Sequence, residues 1–509
     1  MCKIKVFLAF GCMGIVIRQS IYSTVISYIG VALGYVNLLY LYPKYLQPEQ
    51  VGLLRTIQDA AILFAPFAQF GLAQSIYRYY PQVAKDAKSQ AGFLNVIFGL
   101  GLVGFAIFLS VFLTFRETFL SYFQDNARDI VAYTTVILWL TFILLSTALL
   151  ESYSRSLLKN IFPNLLREIV VRALLAVLVV GYFLGWMSYH TFIIGTVLAY
   201  LFCLLALVTY LMLTGQLTWS TDWSLLRKPI FLDIIRYSFM SFAGAAGMII
   251  IGKIDSLMVA SLAGLKEVAI YTTAFYMASV IEVPKRALSQ IAYPLIARAF
   301  EKNDLKDIRT IYRKTAINQF IIGSLLLIGV YINLDNIFEL MPRKEVYQAG
   351  AWVVVIVGLG KLVDMLFGPS SEIIVLSRYY WFNMVLVLLL AAMVIATNAL
   401  LIPRYGINGA AAAAALALVV FNSVKCAFIW LTLRMQPFGR ATLAVLVISL
   451  VTLALNALLP RAPWLLVDIF YRSAVVTMVF GSLILWSGAS PDGNELTKKV
   501  IVWLRNTVR

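Results

Sequence analysis

Ionisable side chains recur where this chain is otherwise oily. Lys253 and Asp255 lie in "IIIGKIDSLMVA", Glu282, Lys285 and Arg286 surround Pro284 in "SVIEVPKRALS", and Lys361 and Asp364 sit in "VGLGKLVDMLF". Asp59, Arg172 and Lys425 place single charges in three further apolar stretches. A charge in hydrocarbon is costly, so such residues face a bundle interior or a water-filled cavity and mark a path for polar cargo. Lys361 and Asp364 are three apart and can pair along one helix face. Glu282 stands three before Lys285 and four before Arg286, so one of those cations is expected to be neutralised and the other left free. Lys253 and Asp255 are two apart and point to different sides, so at least one needs a partner on another helix. Mutually satisfied ion pairs or snorkelling ends account for any one of these residues, but less well for the whole set, in which basic groups outnumber carboxylates. A cationic interior built from Lys253, Lys285, Arg286, Lys361 and Arg172 suits an anionic headgroup such as phosphate. Asp255, Asp364, Glu282 and Asp59 are then charge partners or ion-coupling groups. Pro66 and Pro284 each remove a helix hydrogen bond and are hinge candidates.

Membrane-spanning helices must position these groups. The chain has 509 residues, 61% hydrophobic and 13% charged, with mean hydropathy +0.88. A soluble domain is about a quarter charged. About 14 segments are long and apolar enough to span a bilayer. They run Tyr22–Tyr42, Ile57–Ala73, Phe93–Phe115, Ile130–Leu150, Leu165–Trp186, Phe192–Leu213 and Ser238–Leu262. The rest are Ala269–Ile291, Thr315–Leu334, Tyr347–Phe367, Tyr380–Ile402, Gly409–Leu433, Ala441–Leu459 and Trp464–Trp486. The fold class is therefore an all-α polytopic membrane protein. With an even count, alternate loops hold about 25 Lys/Arg on one side and about 10 on the other, which puts both termini in the cytoplasm. The same bias explains the net charge of +17 without nucleic acid, for which no binding motif is present.

The expected organisation is a short cytoplasmic leader over 1–21, with a possible true start at Met13, and a six-helix lobe over 22–215. A cytoplasmic linker over 216–237, a second six-helix lobe over 238–433, two extra helices over 434–488 and a cytoplasmic tail over 489–509 follow. The charged stretch Ala297–Lys314 reads as an amphipathic connector. A faint repeat supports two lobes: Val51, Gly52 and Leu53 in "YLQPEQVGLLRTIQDA" match Val268, Ala269 and Ile270 in "SLAGLKEVAIYTTAFY". Secondary transporters are often built from such repeats.

Other chemistry is poorly served. Four scattered cysteines and the single His190 make no zinc site, disulfide framework or Ser-His-Asp triad. "GLGLVG" at Gly99 fits GxGxxG but lies inside an apolar span, where small residues serve helix packing. There is no GxxxxGK[ST] phosphate loop, no cofactor motif and no catalytic constellation, so the chain reads as a non-enzyme driven by ion gradients, membrane potential or product removal.

Several stretches together resemble one family. "LIPRYGINGAA" looks like the IP-x-x-G-I-x-G-A-A segment that opens a late helix in polysaccharide flippases of the multidrug/oligosaccharidyl-lipid/polysaccharide exporter superfamily. "KIDSLMVASLAGLKEVAIYTTAFYMAS", followed by "ALSQIAYPLIAR", resembles that family's second-half opening, with Ala269 where the family usually has Gly. "YPKYLQPEQVGLLR" and "FGLAQSIYRYYP" resemble the first-half counterparts. The resemblance implies two six-helix lobes around a central cavity plus two further helices, in a bacterial inner membrane. It implies flipping of a polyprenyl-diphosphate-linked oligosaccharide to the periplasmic leaflet by alternating access, for O-antigen, capsule or exopolysaccharide synthesis. H+ or Na+ and glycan polymerase or glycosyltransferase partners go with that reading. Asp255 matches the family's intramembrane acidic position. A lipid II-type flippase and a cation-coupled drug antiporter are the alternatives; the latter wants an anionic cavity. In "LIPRYGINGAAAAAALAL", Gly406 and Gly409 are expected to allow a tight reversal, after which the alanines let a helix approach its neighbours closely.

Overall fold

The computed structural model describes residues 15–83, 87–217, 223, 226 and 229–490. Residues 1–14 of the leader, with its Met13 start, part of the 216–237 linker and nearly all of the tail lie outside them; leader residues 15–21 are not a separate segment but the first turns of a helix that runs on into the first expected span. Every regular element among the described residues is helical. The chain divides into two compact units, residues 1–269 and 270–509, rather than within the 216–237 linker.

The first unit begins with α1 (Ile15–Tyr35), a π-helical turn Val36–Leu41 and α2 (Tyr42–Tyr45). Then come α3 (Pro48–Gln69), α4 (Leu72–Val83), α5 (Ala87–Thr114), α6 (Arg116–Ser121), α7 (Asp129–Ala132) and α8 (Thr134–Ser156). The next stretch is interrupted: α9 (Ile161–Leu165) runs through a π-helical turn, Leu166–Val170, into α10 (Val171–Phe183). The unit continues with α11 (Tyr189–Leu213) and α12 (Ile230–Leu262), and the division falls inside α13 (Leu265–Ser279). α3 starts with Pro48 at its first position, and Gln50 Oε1 accepts a bond from the Gln47 N–H at 2.9 Å, so orphan donors are few there. It packs against α5, α8 and α12. That packing of α12 explains why the seventh expected span groups with the first six. One core cluster gathers Ile76, Phe93, Ile97, Leu149, Tyr153, Leu207 and Ile234.

The second unit carries a 3₁₀ turn at Val280–Glu282, α14 (Val283–Glu301), α15 (Leu305–Ile332), α16 (Leu334–Leu340) and α17 (Lys344–Tyr347). A further 3₁₀ turn, Gln348–Gly350, leads to α18 (Ala351–Leu366), α19 (Ser370–Leu376), α20 (Tyr380–Leu433), α21 (Arg440–Asn456) and α22 (Leu465–Ser487). α18 packs on α15 and α20, α19 on α14 and α20, and α21 on α15 and α22. Its core includes one cluster around Phe320, Val445 and Phe480 and another around Ile296, Tyr312, Ile373 and Ile429.

Ten helices among the described residues are long and apolar enough to cross a membrane. One of them, α20, holds both the eleventh and twelfth expected spans. At 54 residues it would reach about 80 Å if straight, well over twice a hydrocarbon core of about 30 Å. Gly406, at φ 56° and ψ −136°, breaks it. The reversal expected at Gly406 and Gly409 is thus a one-residue break at Gly406 within one helical run, and Gly409 backs directly onto the Leu401 carbonyl. The fifth and eighth expected spans are interrupted by the π turn and the 3₁₀ turn, and the thirteenth is the shorter apolar helix α21. The Ala297–Lys314 connector is also revised: α14 runs to Glu301, α15 starts at Leu305, and Asp304 caps it by accepting from the Lys306 and Asp307 N–H groups at 3.0 Å. Only residues 302–304 connect the two.

Glycines mark the closest approaches. A Cβ on Gly52 would overlap the Leu265 backbone, and one on Gly104 the Ala68 carbonyl. Gly360 on α18 lies against Ala415 on α20, so the alanine block does admit a neighbouring helix. Val51 and Val268 are each the fourth residue of their helix, α3 and α13, and the matched triplets are buried.

Candidate functional site

In the first unit Asp59 makes a charge pair between helices, while Glu151 holds Arg155 and Arg167 elsewhere, each at 2.8 Å. The α3 register turns the Asp59 carboxylate toward α12, where Lys253 Nζ reaches Oδ1 at 2.5 Å and Ser256 Oγ donates to Oδ2 at 2.7 Å. Asp59 is buried, whereas the Lys253 side chain keeps 34% of its exposure. Lys253 therefore has its partner on another helix. Asp255, on a different side of α12, is buried at 6% exposure. Arg172, on α10, pairs with Glu168 one turn earlier at 3.0 Å, and its backbone carbonyl accepts from Asn37 Nδ2 at 2.8 Å. A guanidinium nitrogen of Arg172 is buried without a hydrogen bond.

Arg55 was not singled out by sequence. It stands one turn before Asp59 on α3, but Asp59 is taken by Lys253, and Arg55 makes no ion pair among the described residues. Its contacts are Gln58 Oε1 at 3.4 Å and the Tyr42 ring, 5.5 Å from the guanidinium to the centroid. The i, i+4 spacing in "RTIQD" held the signal, hidden by the inter-helix pair that overrides it.

In the second unit two ion pairs bridge the start of α14 and the end of α18. Lys361 pairs with Glu282, and Lys285 pairs with Asp364. The expected Lys361–Asp364 pairing along one helix does not occur. Each side chain finds an opposite charge across the helix contact, and the i, i+3 spacing on both sides makes the two pairs rungs of a ladder. Nor does Glu282 leave one neighbouring cation free: Arg286 lies 3.8 Å from it, largely exposed, while Lys285 goes to Asp364. Asn422 Nδ2 donates to the other Asp364 oxygen at 3.0 Å. Lys425, three residues farther along α20, is 2% exposed and donates to Ser371 Oγ at 2.8 Å. Its Nζ is 4.1 Å from the centre of the Phe421 ring.

The prolines sit at helix ends rather than in mid-span. Pro66 is in the last turn of α3, and the chain turns at Phe70 and Gly71, both at positive φ. Pro284 occupies the first turn of α14, directly after the 3₁₀ turn, where its missing N–H costs no helix bond. The break it accompanies therefore lies immediately beside Glu282 and Lys285.

Chemically, both clusters are charged polar patches in apolar helices, the first with three basic groups (Arg55, Arg172, Lys253) against three carboxylates (Asp59, Asp255, Glu168). Counting Glu372, the second holds four basic groups against three carboxylates. No group of three or more metal-ligating side chains occurs among the described residues.

The comparisons agree with this architecture. A lipid II flippase, MurJ, in an inward closed conformation superposes with TM-score 0.73 at 14% identity, covering 92% of this chain and 99% of that one. An inward-facing multidrug resistance MATE family transporter of the MOP superfamily gives 0.59 at 16% identity, covering 80% and 94%. A MOP superfamily transporter from Pyrococcus furiosus, described as having a binding pocket of reversed polarity that suggests a different function, gives 0.53 at 16% identity, covering 82% and 95%. No curated protein sequence matches. The fold is that of the MurJ and MATE membrane transporters. Residues 16–300 match the family model described as polysaccharide biosynthesis protein, more than half of the chain, and the chain belongs to that family.

Proposed function

We propose that this protein is a flippase that moves a polyprenyl-diphosphate-linked oligosaccharide from the cytoplasmic to the periplasmic leaflet of a bacterial inner membrane by alternating access. One observation carries the reading: inside apolar helices of a polysaccharide-biosynthesis chain, basic groups outnumber carboxylates, and Arg55 and Lys425 make no ion pair among the described residues. Unaided flipping drags many sugar hydroxyls through hydrocarbon, at several kcal/mol for each unpaired group. A polar path removes that cost while the lipid tail stays in the bilayer, and cations hold the diphosphate. Lys253 and Arg172 in the first unit, and Lys285, Lys361 and the more exposed Arg286 in the second, are the proposed headgroup ligands, each released from a carboxylate when cargo reaches its unit. Asp255 and Asp364 are the proposed sites of H+ or Na+ coupling.

The structural likeness to a lipid II flippase favours a second reading, in which the cargo is a peptidoglycan precursor; the anchor chemistry is shared and the glycan differs. A cation-drug antiporter fits less well, because it calls for an anionic site.

Complementation of a strain lacking its glycan flippase is the test, with membrane expression verified and the surface polysaccharide read out. Restored polysaccharide supports the first cargo. Rescue only of a strain depleted of its lipid II flippase supports the second. Efflux of cationic drugs without either rescue overturns both.

A further inference from the structure

Asp364 stands at a junction. One carboxylate oxygen holds Lys285 from α14 and the other accepts from Asn422 of α20. Lys425 is three residues beyond Asn422, hence on the same face of that helix. α18, which carries Asp364, and α19, which carries Ser371, both pack on α20. Lys425 is the most enclosed charge in this cluster, at 2% exposure, yet its partners are a hydroxyl and an aromatic face. It makes no ion pair among the described residues, although Asp364 and Glu372 lie within its electrostatic reach. A buried ammonium held only by neutral groups is expensive, more so in a helix that spans a membrane. Packing alone would be better served by Leu or Met at that position.

We infer that Lys425 is the standby counter-ion of Asp364: when an anionic headgroup takes Lys285, the Asp364 carboxylate passes to Lys425. The inference rests on the proposed lipid-diphosphate cargo and assigns a positioning role to a residue that does not itself touch that cargo. Charge accounting supports it. Before cargo arrives, Lys285 is paired and Lys425 is not. If a phosphate simply extracted Lys285, Asp364 would be left as a buried, unpaired carboxylate beside an unpaired Lys425. Transfer of Asp364 to Lys425 leaves every charge matched: phosphate with Lys285, carboxylate with Lys425. Asn422 is placed to keep hold of Asp364 during the exchange, since it grips the oxygen that Lys285 does not use. The Glu282–Lys361 pair, one turn away on both helices, takes no part in this exchange; when Lys361 in turn meets the headgroup, Glu282 still has Arg286 beside it.

The test is a double-mutant cycle on the full-length protein with Lys285→Met and Lys425→Met, read by thermal melting in detergent and by polysaccharide complementation. Lys425→Met is expected to melt at or above the parent temperature, because it removes an unpaired buried charge, while transport falls about tenfold, the scale of one lost coupling. Lys285→Met is expected to be tolerated in melting, because Lys425 takes over Asp364. The double variant then strands Asp364 and is expected to melt well below the sum of the two single shifts. A purely structural Lys425 predicts the reverse, with melting and transport falling together in the single variant. That result, additive melting shifts, or full transport by Lys425→Met would overturn the exchange. Should the parent protein carry no glycan lipid at all, the cargo reading fails, and the melting cycle still decides whether Lys425 serves Asp364.

Discussion

Asp59 illustrates how much a single residue depends on its partners. Its carboxylate holds Lys253 and Ser256 at once, so Asp59→Asn leaves an ammonium without a counter-ion. Lys253 is about a third exposed, which lets water offset part of the loss, and the expected destabilisation is about 1–3 kcal/mol. Asp59→Leu combined with Lys253→Met removes both charges and is expected to recover most of it. Thermal unfolding in detergent checks both variants; equal losses in the single and double changes would mean that the pair contributes little. At this scale the charged positions were legible, because a charge within an apolar run stands out against its neighbours. Their pairings were not. Lys361 could reach Asp364 by spacing alone, yet it goes to Glu282, since the energy of an ion pair depends on which helix lies opposite. Lys425 stood out as a charge in an apolar run, but that Asp364 near it is engaged by Lys285, as Asp59 near Arg55 is by Lys253, depends on the helix packing.

At the level of elements, the breaks matter most. The chain interrupts its helices at Val36–Leu41, Leu166–Val170, Val280–Glu282 and Gly406. The residues inside the two π turns and the 3₁₀ turn carry no mark of their own, but each turn has a proline within three residues, Pro43, Pro163 and Pro284, and proline, without an N–H, disturbs a regular ladder. Gly406 does carry a mark of its own. Its φ of 56° with ψ of −136° is a conformation open essentially to glycine. Gly406→Ala is expected to cost about 1–3 kcal/mol through backbone strain alone, because nothing stands within 4 Å of the added methyl. Gly329 in α15 is the control: it also faces open space, but at helical φ, so Gly329→Ala is expected to be neutral or to gain up to about 1 kcal/mol. Melting temperatures of the two variants separate strain from volume. Similar behaviour in both would remove the case for a strained break.

For the whole molecule the directional prediction comes from charge asymmetry. Basic residues gather in alternate loops, and the cluster Arg298, Lys302, Lys306, Arg309 and Arg313 is expected on the cytoplasmic side. Asn303, in the short connection between α14 and α15, should then be inside, and Gln124, between α6 and α7, outside. An impermeant thiol reagent on intact cells is expected to label Gln124→Cys and to spare Asn303→Cys until the membrane is opened. Labelling of Asn303→Cys in intact cells would reverse the assigned orientation. The described native cysteines, Cys203 and Cys426, are buried, so background labelling from them should be low.

The amino-acid sequence by itself determined the class of molecule, the approximate position of each apolar span and the set of charges that cannot be there for solubility. Those follow from local quantities: transfer cost per residue and run length. The tertiary structure decided which carboxylate serves which cation, that α12 packs with the helices of the first unit, and that Lys425 is enclosed without an ion pair among the described residues. These depend on which faces meet across a helix contact. Two residues three apart always share a side of their own helix, but only packing determines what that side touches.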